Sequence, residues 1–92
     1  MSWTVRYRNT KQIEKAVFKM RPSVRRAFAE AISDLIEQGP RPYGWHTKEL
    51  QGNYKDMMSL RLDIRHRMIY SVFSKSLLIE IVEVTTRENA YK

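Results

Sequence analysis

From Met58 to Arg65 the chain alternates without a break. Met58, Leu60, Leu62 and Ile64 are apolar, and Ser59, Arg61, Asp63 and Arg65 between them are polar or charged. Successive strand residues point to opposite faces, so this stretch predicts a strand with one apolar and one polar face. A guanidinium cannot shed its charge and gains nothing from burial, so the polar face must meet solvent or an anion. Such a strand belongs in a sheet that is covered on one side.

The rest of the chain supplies the cover. Trp3-Thr-Val-Arg-Tyr7 reads as a short strand of β-formers. Asn9 or Thr10 can cap a helix in which Ile13, Ala16, Val17 and Met20 form a buried stripe at helical spacing. Lys11, Lys15 and Lys19 make the opposite ridge, a solvated face or a nucleic-acid contact. Pro22 suits the first turn of a second helix, whose apolar face is Val24, Phe28, Ala31, Ile32, Leu35 and Ile36. Gly39-Pro40 ends it, and the short link Arg21 to Ser23 predicts an antiparallel helix hairpin. Residues 39–53 hold every glycine and all but one proline, and read as a loop region closed by Lys48-Glu49-Leu50-Gln51-Gly52. Strands are predicted near 56–64, 67–73 and 77–84. The order βααβββ gives one α+β domain over residues 1–92: an antiparallel sheet of about four strands with an N-terminal helix hairpin packed on one face.

Composition narrows the chemistry. The absence of cysteine excludes disulfides and thiol catalysis, and the two histidines, His46 and His66, have no metal-ligand spacing with carboxylates. No cofactor is expected. No stretch resembles a signal peptide or a membrane span, which predicts a cytoplasmic protein with no membrane partner. A net charge of +7 on 92 residues favours an anionic partner.

The polar face then gathers the candidates. In an antiparallel pair, facing residue numbers have a constant sum, so Arg61 and Arg67 share a face only when that sum is even, as with an odd-length connection such as 64–66. We expect the even sum, which also turns Ile69 and Phe73 to the free face, under the C-terminal segment or a bound base. Asp63, Glu80 and Glu83 are too few to pair with Arg61, Arg65, Arg67 and Arg87 together, so part of the arginine set is available to phosphate. Tyr70 reads as core. Tyr91, past the last strand, reads as functional.

In this order and spacing the motifs resemble the RelE/ParE superfamily, the small toxins of bacterial type II toxin–antitoxin pairs. They are Trp3–Tyr7, the helix hairpin ending at Gly39-Pro40, Lys48–Gly52, Leu60-Arg61-Leu62, Arg67-Met68-Ile69-Tyr70 and Thr86-Arg87-Glu88-Asn89-Ala90-Tyr91. Residues 58–72, with His66 before Arg67, resemble the hairpin of the YoeB branch. The resemblance implies a ribosome-dependent endoribonuclease that cuts mRNA in the A site without a metal. The ribose 2′-OH attacks the adjacent phosphate and leaves a 2′,3′-cyclic phosphate. It further implies a neutralising antitoxin, acidic and wrapped around the toxin, and contact with the 16S rRNA of the ribosome.

By the same resemblance Arg67 would stabilise the phosphorane and Arg87 would hold the phosphate or aid the leaving group. Tyr91 would stack on a base or move a proton, and Arg61 would grip phosphate. Glu49 lies near the place of the YoeB-branch general base, with His66 a second candidate. Lys48, Lys55 and Arg65 would add positive charge. Two departures stand out: Thr86 replaces the usual histidine before the C-terminal arginine, and Met58 and Leu60, or Ser59 and Arg61, stand where RelE has two lysines. The alternatives are a ParE-type gyrase inhibitor and an inactive homologue acting as co-repressor with its antitoxin.

Overall fold

The computed structural model describes residues 2–86. Its elements run β1 (Thr4–Tyr7), α1 (Thr10–Phe18), α2 (Pro22–Gln38), β2 (Thr47–Glu49), β3 (Met57–Arg61), β4 (His66–Phe73) and β5 (Leu78–Thr86). Asn9 is the cap of α1, its side-chain oxygen accepting a hydrogen bond from the Gln12 N–H at 3.1 Å. Pro22 opens α2, where its missing N–H costs nothing. The helix stops at Gly39, whose N–H donates to the Leu35 carbonyl at 2.9 Å. Gly39 has φ +89°, a conformation disfavoured for any residue with a Cβ.

The five strands lie in the order β1-β5-β4-β3-β2. From β2 to β5 the chain is an antiparallel meander, whereas β1 pairs with β5 in parallel. The helices therefore carry the chain from one edge of the sheet to the other, and the meander brings it back. This corrects the expected four-stranded antiparallel sheet to a mixed sheet of five. The added strand is β2, three residues of Thr-Lys-Glu at the sheet edge, inside the stretch read as loop. An edge strand this short carries no apolar alternation by which to be recognised.

Ile13 of α1 and Val24, Phe28, Ala31 and Leu35 of α2 pack on one face of the sheet. Met58, Leu60 and Leu62, Met68 and Tyr70, and Ile79, Ile81 and Val84 complete this core. Each buried Val, Leu, Ile, Phe or Met side chain among them contributes about 1.5–3 kcal/mol by leaving water. The step from Ile81 to Val84 is three residues rather than two. A bulge accommodates it: Ile69 pairs with Glu83, but Tyr70 pairs with Ile81. The bulge keeps Val84 in the core and turns Glu83 and Thr85 to the opposite face.

That opposite face is only partly open. Leu50 and Tyr54, from the connection between β2 and β3, and Met57 at the start of β3 cover Ile69 and Val82 in a second, smaller cluster. Ile69 is fully buried there, under a segment that sequence patterning read only as loop. Ile64, expected to continue the apolar row of β3, is instead 77% exposed in the β3–β4 turn. No helix among the described residues is long and apolar enough to cross a membrane.

Candidate functional site

The β3–β4 turn sets the geometry. One carboxylate oxygen of Asp63 accepts from the backbone N–H of Arg65 at 2.8 Å and of His66 at 2.7 Å, and lies 2.9 Å from the His66 ring Nδ1. Burial works to raise the pKa of Asp63, but these hydrogen bonds outweigh it and leave the carboxyl below its ordinary value. The turn so held pairs Leu62 with His66 and puts Arg61 directly opposite Arg67, the even sum expected. Both arginines share the face away from the helices.

Two rows of side chains cross that face. In one, Arg61 faces Arg67, Arg67 faces Thr85 on β5, and the Arg61 N–H donates to the carbonyl of His46 at 3.0 Å. In the next, Lys48 of β2 faces Ser59, Ser59 faces Ile69, and Ile69 faces Glu83. Arg67 is only 6% exposed, and Ser59 1%. Arg61 is half-buried, and its Nε, like Ser59 Oγ, has no hydrogen-bond partner among the described residues. The Tyr54 hydroxyl donates to Glu83 at 3.0 Å, which fastens the β2–β3 connection across the sheet and raises the phenol's pKa.

Arg41, His46, Lys48, Glu49, Arg61 and Arg67 line one open cleft of about 760 Å³. Four cations thus face a single carboxylate, Glu49, which lies 3.2 Å from the Arg41 guanidinium at the exposed rim. The loop carrying Arg41 is anchored to the core. The Tyr70 hydroxyl donates to the Pro40 carbonyl at 2.6 Å, the Trp45 indole N–H donates to Asp34 at 2.8 Å, and the Tyr43 N–H donates to Gln38 at 2.8 Å. Burial pushes the Tyr70 phenol far above its usual range, with Arg41 acting weakly against it. Guanidinium forks fixed on strands suit the paired oxygens of a phosphate, and a carboxylate beside them suits proton transfer. Among the described residues, no group of three His, Asp or Glu is placed to hold a metal ion.

Of the sequence candidates, Arg61, Arg67 and Lys48 share the face away from the helices; Glu49, paired with Met58, alternates to the other face and reaches the cleft at the exposed edge of the sheet. Lys55 lies in an adjoining cavity, on the far side of Glu49. Arg65 is exposed in the turn. His66 alternates with Arg67 and so sits on the helix side of the sheet, near Lys19 and Arg21. Arg87 and Tyr91 lie outside the described residues. Arg41 and His46 were not singled out from sequence; both flank the unrecognised β2, and its detection is what would have revealed them.

No family model and no curated protein matches this sequence. Solved structures do. The archaeal RelE of the RelE–RelB complex from Pyrococcus horikoshii superposes with a TM-score of 0.77 at 27% identity, over 95% of this chain and 97% of the other. A chain of the toxin–antitoxin complex RelBE2 from Mycobacterium tuberculosis gives 0.71 at 24% identity, over 95% and 100%. YafQ from Escherichia coli gives 0.76 at 16% identity, over 98% and 99%. Over nearly its whole length, the chain has the fold of the RelE/YoeB-like toxins.

Proposed function

We propose that this protein is the toxin of a type II toxin–antitoxin pair and a ribosome-dependent endoribonuclease that cuts mRNA in the A site. The observation that carries the reading is the placement of Arg61 opposite Arg67, with Arg67 buried, beside Lys48 and Glu49 in one cleft. Like charges directly across a ladder destabilise a sheet, and an anion between them reverses the sign of that interaction. A phosphodiester is such an anion. In the proposed step Glu49 takes the proton from the ribose 2′-OH, and the 2′ oxygen attacks the adjacent phosphorus. Arg61 and Arg67 stabilise the doubly charged phosphorane, and the 5′ oxygen leaves with a proton drawn from water, Glu49 returning its own to solvent. The products are a 2′,3′-cyclic phosphate and a free 5′-OH, and no metal ion enters the step.

Arg87 and Tyr91 are assigned by resemblance to the leaving oxygen and to a base. His66, on the other side of the sheet, has no part in the reaction. Lys55, Arg65 and the Lys11, Lys15 and Lys19 ridge supply charge for 16S rRNA. The partner is an acidic antitoxin that wraps the toxin in the cytoplasm, in keeping with the antitoxin complexes of the RelE and RelBE2 structures.

The test is translation in vitro on programmed ribosomes with the purified protein, mapping mRNA 5′ ends by primer extension. Cuts at the A-site codon establish the activity. Intact mRNA with undiminished translation refutes it and favours a gyrase inhibitor or an inactive co-repressor.

A further inference from the structure

Phe18 is the last residue of α1 and is 77% exposed. Ile13, Val17 and Met20 turn one side of this helix to the core, and Phe18 falls outside their stripe. A lone exposed phenylalanine is common on protein surfaces, so its neighbours decide what it means. Lys11, Lys15 and Phe18 stand at i, i+4 and i+7, which puts two ammonium stems and the ring on one face of α1. With Asn9, Gln12 and Glu14 they line a shallow groove of about 720 Å³. Among the described residues neither lysine is in an ion pair, with Glu14 or with any other carboxylate. Arg25 of α2 donates to the Phe18 carbonyl at 3.3 Å and brings a third cation to the same end of the helix.

We propose that this face of α1 holds an unpaired nucleotide of a single-stranded RNA segment. The base stacks on the Phe18 ring, and the flanking phosphates meet Lys11 and Lys15. The choice of RNA as the anion rests on the nuclease reading, to which the proposal adds a second contact. Because α1 packs on the side of the sheet opposite Arg61 and Arg67, the segment held here is not the one being cut. Stacking on an aromatic ring is tolerant of sequence, since every base has a π face. Lysines four residues apart are separated by about 6 Å along the helix axis, a spacing that successive phosphates can match. The rival occupant is an acidic amphipathic helix. Such a helix docks through several apolar anchors at helical spacing, and this face offers a single ring.

The experiment titrates the intact protein with 2′-O-methyl hexaadenylate, which has no free 2′-OH and so is not cut. Reporters are the NMR amide signals of residues 15 and 18 and the Nε–H signals of Arg61 and Arg67. Both sets are expected to shift. At the α1 site Phe18→Leu should weaken binding about tenfold, the scale of one stacked base, and Phe18→Trp should restore it. Lys11→Gln or Lys15→Gln should lower the log–log salt slope at that site by about 0.7. Arginine shifts with silence at α1 overturn the proposal and leave the nuclease reading standing. Shifts at α1 with silent arginines support the proposal and count against the nuclease reading. Unchanged affinity in a folded Phe18→Leu protein overturns the stacking. Hexaglutamate binding at α1 as tightly as the oligonucleotide overturns RNA in favour of an acidic protein segment.

Discussion

Arg61 and Arg67 face one another across the β3–β4 ladder, at its last rung before the turn. Such a pair costs stability on the order of 0.2–1 kcal/mol. Arg61→Met should therefore raise the melting temperature by up to several degrees, given a shift of about 4–8 °C per kcal/mol in a domain of this size. The same variant should cut more slowly. Arg67→Ala should lower cleavage on the order of a hundredfold, the scale for removing one donor to transition-state charge. Calorimetry and single-turnover cleavage measure the two effects. A folded Arg67→Ala protein that cuts at the original rate would remove this residue from the site.

Gly39 is a second point of tension. A Cβ at this position would lie 2.8 Å from the Trp3 indole nitrogen, and φ is +89°. Trp3 is tied there by its own N–H, which donates to the Ile36 carbonyl at 2.7 Å. Gly39→Ala should cost about 1–3 kcal/mol from backbone strain and the close contact together. Chemical denaturation would show it as a lower midpoint with an unchanged slope. An unaltered midpoint would mean that Trp3 gives way freely.

The even parity of the β3–β4 pairing agrees with the expectation, although the connection falls one residue earlier than 64–66, because Asp63 holds the turn. The helices were legible through their apolar stripes, Asn9, Pro22 and Gly39. Two features were not. Strand β2 is short, polar and at an edge, so nothing periodic marks it, and Arg41 and His46 beside it were lost with it. The cover over Ile69 comes from Leu50 and Tyr54, in a segment whose composition reads as loop. Long-range packing of this kind leaves no local pattern. The burial of Ser59 and Arg67 was equally invisible.

Tyr70 tests the separation of frame from site. It is fully buried in the core, and its hydroxyl reaches the Pro40 carbonyl next to Arg41. Tyr70→Phe should cost about 1–2 kcal/mol, since it leaves a carbonyl without its donor. Cleavage by the folded fraction should change by no more than a few fold. A hundredfold loss would instead make Tyr70 part of the chemistry.

Glu80 ties the first strand to the last. One of its oxygens accepts two hydrogen bonds from Arg8, at 2.9 and 3.0 Å, and the other accepts one from Arg6 at 3.0 Å. The bond to Arg8 is the largest influence and, with Arg6, it overcomes burial to hold this carboxyl below its ordinary value of 4.5. A carboxyl depressed in the folded state stabilises fully above its unfolded pKa and loses that contribution as pH falls through the folded value. The gap in melting temperature between the unsubstituted protein and Glu80→Gln should therefore be constant from neutral pH down to about 5 and close below 4.5. It should be modest, because the two arginine side chains are 58% and 47% exposed and water screens the pairs. Added salt should shrink it further. A gap that persists unchanged well below pH 4 would mean that Glu80 acts through packing and not through its charge.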